Sequence, residues 1–293
     1  MSNEIILVAG AGGKAGSYIV PILQERGYTV RLLTRTKSRL QKMFPQAEIV
    51  EADVLKPESL RGACAGVSAV ISTIGASLDL NNFRDKRSFH EVDYCGNQTL
   101  LQEAVSAKVG TFVYLSAFGA ETTRTAYTDE HEAFVGELRR SPLDYKVVRP
   151  TGFFYINAEF VKMAQRGRAV VIGDGKARTN PIHEEDVAKA CVDALEGQAK
   201  SINIGGAETF TRKEIVELAF EACGKPPKIS HVPFGVMRVA STLARPLNRR
   251  LSELVEFGAV VATQDCVAPA VQTHHRLEAY FRGLTAEKAL THS

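Results

Sequence analysis

The chain has no tryptophan, and its five cysteines (Cys64, Cys95, Cys191, Cys223 and Cys266) include no C-x-x-C pair. Cysteines scattered this widely argue against a zinc site and suit a reduced, cytoplasmic protein. They read as small buried hydrophobes. No run of about 18 apolar residues occurs, so no membrane insertion is expected. Low-complexity segments, internal repeats and a visible interdomain linker are missing too. So is a dominant charge: a formal net charge of +3, spread along 293 residues, gives no argument for nucleic acid or for an anionic membrane. The first strand-like run starts at Ile5 and is expected to leave no room for a signal peptide. What remains is an ordinary globular balance, 45% hydrophobic and 24% charged, in a length that permits one large domain or two modest ones.

Glycine is concentrated at one telling place. Gly10-Ala11-Gly12-Gly13-Lys14-Ala15-Gly16 lies between the apolar run Ile5–Ala9 and a helical pattern over 17–26. Gly10, Gly13 and Gly16 form a G-x-x-G-x-x-G spacing. Glycines allow a tight turn and close approach of backbone to a diphosphate, and the first N–H groups of the helix then face its oxygens. A Gly-rich run alone is weak evidence. Here a strand precedes it, a helix follows, and a second strand comes next, which makes the signal strong. Gly10, Gly12, Gly13, Lys14, Ala15 and Gly16 are the residues expected at the dinucleotide.

The first 150 residues alternate strands with helices. Strands are read at Ile5–Ala9, Thr29–Thr34, Glu48–Glu51, 69–73, 112–116 and 145–148, several of them apolar throughout. Such alternation predicts a doubly wound parallel α/β sheet with helices on both faces and ligands at the carboxyl ends of the strands. After the second strand stands Thr34-Arg35, where an NAD-selective site carries Asp or Glu. A guanidinium there would bind a 2′-phosphate, so NADP(H) is preferred over NAD(H); otherwise Arg35 is a solvated charge. After the third strand, Asp53 and Val54 either meet the adenine or cap the turn before Pro57. After the fourth, Thr73 and Ile74 precede small residues that let the backbone pass close to a cofactor.

After the fifth strand stand Leu115-Ser116, and a loop leads to Tyr127 and His131. Together with Gly10–Gly16, Asp53-Val54, Val148-Arg149-Pro150, Gly173-Asp174-Gly175 and the run from Asn180 to Ala188, these residues resemble the short-chain dehydrogenase/reductases. The resemblance is to their extended and atypical branches, NmrA-like or epimerase-like, and it covers nearly the whole chain. It implies a Rossmann-like fold and a catalytic Ser, Tyr and Lys. The Ser falls on Ser116 and the Tyr on Tyr127. The Lys falls on His131, a departure: His is only partly charged near neutral pH, so it would hold a ribose hydroxyl but support the Tyr less strongly. Without that family pattern the three are a strand-end serine, a loop aromatic and a solvated histidine.

From about residue 151 to 293 strands become rare, and a smaller, mostly helical substrate lobe is expected, with some strands returning to the first domain. Pro150, Thr151 and Phe153 are expected over the nicotinamide. Phe153, Phe154 and Tyr155 are either substrate pocket or core for the following helix. Gly173–Lys176 reads as a tight turn between short strands. Thr211 with Glu214 predicts a capping box, and Gly224 a helix end. Between 233 and 257 one or two helices are interrupted at Pro246. Val239, Leu243, Leu247, Leu251 and Leu254 form a core or lid face there, and Arg238, Arg245, Arg249 and Arg250 bind a diphosphate or face water.

The leading function is an NADPH-dependent reductase of a small organic carbonyl or activated alkene. The competitors are an NAD(P)-retaining epimerase, dehydratase or isomerase, and a non-catalytic NADP-sensing protein of the NmrA-like kind. The expected partner is a small-molecule substrate, with the chain a monomer or homodimer.

Overall fold

The computed structural model describes residues 4–78, 86–246 and 248–291, which form two compact units. The first comprises residues up to 77, 86–149 and 184–203; the second comprises 150–183 and 204–291. In chain order the elements are β1 (Ile5–Ala9), α1 (Gly16–Glu25), β2 (Thr29–Thr34), α2 (Lys37–Met43), β3 (Glu48–Glu51), β4 (Val67–Ser72), α3 (Asn97–Ser106), β5 (Thr111–Leu115), α4 (Ala126–Arg140) and β6 (Asp144–Pro150). There follow α5 (Phe154–Gln165), β7 (Ala169–Ile172), β8 (Arg178–Thr179), α6 (Glu184–Glu196), β9 (Ser201–Ile204), β10 (Phe210–Thr211), α7 (Arg212–Ala222), β11 (Ile229–Val232), α8 (Phe234–Ala244), α9 (Arg249–Thr263) and α10 (Leu277–Thr291).

The first unit is built on a seven-stranded sheet of order β3-β2-β1-β4-β5-β6-β9. The registers of β1 with β2 and β4, of β2 with β3, and of β5 with β4 and β6 are all parallel. Parallel strands covered on both faces bury every second and every other side chain alike, which is why β1 and β4 are apolar with no alternation. Leu7, Val70, Phe112 and Tyr114 lie in one core with Leu100, Ala104, Phe134 and Leu138 from α3 and α4. The order reverses between β1 and β4, and at such a switch point the loops leaving the two strands part and open a crevice.

Two helix starts in this unit differ in kind. α4 begins with a capping box in which Thr125 Oγ1 accepts from the Thr128 N–H and Thr128 Oγ1 from the Thr125 N–H. α1 has no side-chain cap and no acidic residue in its first turn. Its positive end is therefore left for another anion. A π-helical turn, His90–Gly96, runs directly into α3. Gly96 lets it lie close to Val54, since a Cβ there would come within 2.9 Å of Val54 Cγ2.

The second unit has its own core, in which Phe154 and Val161 of α5, Ile215 and Phe220 of α7, and Leu277 and Phe281 of α10 are buried together. Each such side chain contributes about 1.5–3 kcal/mol of burial. The expected capping box is present, with Glu214 N–H donating to Thr211 Oγ1. Gly224, at φ +64°, follows the helix end in the left-handed conformation. The turn at 173–176 lies between two short strands as expected, but they do not pair with each other: β7 pairs in parallel with β11, and β8 pairs antiparallel with β10. Both partners lie far along the chain, so no local pattern announces them. α8 and α9 are two helices separated at Pro246, and Leu247 lies outside the described residues. The apolar set read there divides: Leu254 is buried, whereas Val239 and Leu243 are exposed.

Asn180 ties this unit together. Its Nδ2 donates to Gly206 O at 3.1 Å and Ala268 O at 2.8 Å, and its Oδ1 accepts from the Ala268 N–H at 3.0 Å. Gly205 leaves it room, since a Cβ there would stand 2.2 Å from Nδ2. Asn180→Ala strips three buried bonds from two loops. It is expected to cost about 2–4 kcal/mol, read as a lower urea midpoint for loss of structure; an unchanged midpoint would show that the loops hold without it.

Candidate functional site

The turn after β1 is shaped by close approaches of backbone. Gly10 sits at φ +91°, and a Cβ on it would lie 2.5 Å from Thr73 Oγ1 and 3.0 Å from the Thr73 carbonyl carbon. A Cβ on Gly16 would lie 2.3 Å from Gly10 O. The Gly13 N–H donates to Gly10 O at 2.8 Å, closing the turn. No larger residue fits at 10 or 16, and the first turn of α1 is thereby pressed against the loop. The result is a cradle with the uncapped positive end of α1 at its floor, which suits a diphosphate. Ala15 and Gly16 are buried, and Gly13 and Lys14 are exposed on the rim.

The far wall is the strand end of β4. Thr73 donates to Ala9 O from its N–H (2.9 Å) and its hydroxyl (3.2 Å). Asn97, fully buried on α3, accepts from Ser72 Oγ at 2.6 Å and donates to Ile74 O at 3.2 Å. Asn97 therefore sets the path of the Thr73-Ile74 backbone past the cradle.

At the end of β2, Arg35 is exposed and Thr34 Oγ1 accepts from the Thr36 N–H. Arg39, which the sequence reading passed over, reaches from α2 to the carbonyl of Gly12 at 3.0 Å. It stands in the first turn of α2, four residues after Arg35, and a second cation so soon after the strand end was the available signal. Asp53 turns toward its own chain: Oδ1 accepts from the Leu55 N–H at 3.1 Å, the turn-capping alternative. Val54 is packed in the core.

Around the end of β5, Ser116 is 5% exposed and its Oγ has no hydrogen-bond partner. Tyr127 lies in the first turn of α4, and its ring meets that of His131 edge-on, centroids 4.4 Å apart. The Tyr127–His131 spacing thus places both on one side of the helix, as expected. His131 is nonetheless only 2% exposed. Its Nδ1 is 2.6 Å from Tyr114 Oη, and its Nε2 faces Asp93 Oδ1 at 3.4 Å, without hydrogen-bond geometry. Burial, reinforced by the Asp93 charge, holds the Tyr114 phenol well above its ordinary pKa. Tyr114 therefore stays protonated and donates to Nδ1, and Nε2 carries the ring proton toward Asp93. Asp93 is fully buried, and its Oδ2 accepts from the Ala76 N–H at 3.1 Å. Both ring nitrogens expected to be available to a ribose are turned into the interior of this unit. Tyr114 stands two residues before Ser116, hence on the same side of the strand.

In the second unit, Thr151 donates its N–H to Ile204 O and its hydroxyl to Asn180 O. Phe153 and Tyr155 are half-buried, their rings 5.8 Å apart. Phe154 is core, not pocket. It is 3% exposed and packs edge-on against His183 and obliquely against Tyr280, each at 5.6 Å. Phe153 is the N-cap of α5, in extended backbone, and Phe154 its first helical residue.

A parallel sheet with a glycine cradle at its switch point defines a dinucleotide-binding α/β protein. The NAD(P)H-binding family model matches residues 10–198, and the chain belongs to that family. A divinyl chlorophyllide a 8-vinyl-reductase of Zea mays is 30% identical over 283 residues, covering 88% of this chain and 70% of that protein. A photosystem II assembly factor Ycf39 of Trieres chinensis is 24% identical, covering 81% and 75%. Among solved structures, an NADPH complex of an NADPH-dependent quinone oxidoreductase from Escherichia coli aligns with a TM-score of 0.74 at 17% identity. It covers 96% of this chain and 99% of that one, and the likeness is one of fold. Among the described residues no helix is long and apolar enough to cross a membrane.

The buried chain Tyr114–His131–Asp93 makes a stability prediction. Tyr114→Phe keeps the ring and leaves Nδ1 unpartnered in the interior. A loss of about 1–3 kcal/mol in urea unfolding is expected; no loss would mean that the hydroxyl contributes nothing to holding His131.

Proposed function

We propose that the chain is an NADPH-dependent reductase of a small organic carbonyl or activated alkene. The observation that carries this reading is the cradle of Gly10, Gly13 and Gly16 with two guanidinium groups, Arg35 and Arg39, at its adenosine side and no carboxylate at the end of β2. Arg39 is tied to the loop itself, so a 2′-phosphate would find one fixed cation and one free to close on it. The reductase relatives support the same reading.

When bound, the nicotinamide supplies the hydride. The chain supplies position, charge and a proton. The cradle and the Thr73-Ile74 backbone would hold the dinucleotide. Ser116 Oγ, buried and without a partner, is suited to donate to a substrate oxygen on which negative charge develops. Tyr127 would give the proton. His131, beneath the Tyr127 ring, supports it through the field of a polarised imidazole, its Nδ1 bonded to Tyr114 and its Nε2 facing Asp93. A cytoplasmic monomer or homodimer accords with this reading.

One observation favours a second reading, cofactor binding without turnover. The position that carries a flexible Lys in the resembling family here carries a buried ring, and a curated relative is an assembly factor.

The test is consumption of NADPH across a panel of quinones and enones, with Tyr127→Phe beside the wild type. A turning-over substrate is expected, with kcat lowered about 100-fold in Tyr127→Phe and NADPH affinity kept within about twofold. Binding of NADPH with no turnover on any member would favour the second reading. Full turnover by Tyr127→Phe would remove Tyr127 from proton transfer.

A further inference from the structure

The three most exposed large hydrophobic side chains among the described residues all lie on α8: Leu243 (68%), Val239 (59%) and Val236 (55%). Their spacing of three and four residues puts them on one stripe of the helix. The opposite stripe is the one that docks. Ser241, the buried residue of α8, bonds to the carbonyl and hydroxyl oxygens of Ser252 on α9 at 3.1 and 3.2 Å. α8 thus has a packed face and an apolar face turned to water, which inverts the usual order for a surface helix.

Charge is distributed just as unevenly. From Ala222 to Ser252 the sequence has six Lys and Arg residues and no Asp or Glu. Arg238 and Arg245 are exposed and stand seven residues apart, so they share one line of the helix, at the flank of its exposed face and separated from the apolar stripe by Gly235 and Thr242. Arg249 is exposed just beyond Pro246 and is held by Glu253. The small net charge of the whole chain conceals this local run.

We propose that α8 adsorbs flat on an anionic lipid surface, with Val236, Val239 and Leu243 entering the headgroup–acyl boundary and Arg238 and Arg245 reaching lipid phosphates. A short aliphatic stripe flanked by cations, in a run of sequence that holds no carboxylate, matches such a surface in both chemistry and sign. Its size argues the same way. A stable protein interface needs about 800 Å² from each partner, more than one three-residue stripe provides, whereas interfacial adsorption is weak, reversible and additive with charge. α8 itself does not span a bilayer: it has 11 residues, about half the length needed.

The test is co-sedimentation of the full chain with phosphatidylcholine vesicles and with mixed phosphatidylcholine–phosphatidylglycerol vesicles. Binding to the mixed vesicles alone is expected, and release by about 1 M salt, where screening cuts in at about 3 Å. Val239→Glu combined with Leu243→Glu should weaken binding by about tenfold or more. Arg238→Ala combined with Arg245→Ala should reduce the response to phosphatidylglycerol. All four sites are exposed, so thermal unfolding matching the wild type is expected of both variants. Failure of the wild type to bind either vesicle overturns the proposal. So does equal binding by the Val239→Glu, Leu243→Glu variant, or a concentration-dependent dimer abolished by that variant without vesicle binding, which would assign the stripe to a second copy. The outcome is independent of NADPH binding and turnover.

Discussion

The contact on which the rest depends is the approach of Gly16 to the carbonyl of Gly10. With 2.3 Å available to a Cβ, only glycine lets α1 start where it does. That start aims the uncapped end of the helix at the loop and leaves the loop closed by a bond from Gly13. The same crowding recurs across the crevice, where Gly10 leaves space for Thr73 and Thr73 is bonded back to β1. A change at any of these positions would move the helix, the loop or the β4 strand end together. Conformational freedom is thus concentrated where a dinucleotide needs backbone rather than side chains.

Around that point the polar interior is arranged in two groups. Asn97 links β4 to α3 and fixes the path of Ile74. Tyr114, His131 and Asp93 link β5, α4 and the π-helical turn. The second group places an imidazole where the resembling family has an ammonium. A lysine there would carry its charge on a flexible stem. This histidine keeps its polar atoms inside and meets Tyr127 through ring contact.

Much of this was legible in the sequence. The strands announced themselves because a sheet covered on both faces needs apolar runs: Ile5–Ala9 is unbroken, and the strand read at 69–73 overlaps β4, which starts two residues earlier. The glycine loop was legible because its spacing is imposed by sterics. The capping box at Thr211 was legible because both partners lie within one turn. What escaped depended on long-range pairing or on direction. β7 finds β11 some 60 residues on, so the turn at 173–176 was legible but the partners of its two strands were not. Asp93 and Tyr114 are nearly 40 and 17 residues from His131, and nothing local marks them as its neighbours. The three aromatics Phe153, Phe154 and Tyr155 look alike in sequence; only the entry angle of α5 sends the middle one into the core. Arg39 was within reach, in the first turn of the helix that follows Arg35.

The measurement that bears most directly on this account is calorimetric titration of the purified chain with NADPH and with NADH, after its absorbance has been checked for copurified nucleotide. The account predicts saturable binding of NADPH to an empty protein, tighter than NADH by about tenfold or more, as expected for a 2′-phosphate held by charge-assisted bonds. Binding of neither cofactor to a folded, nucleotide-free protein would contradict it at the loop from Gly10 to Gly16.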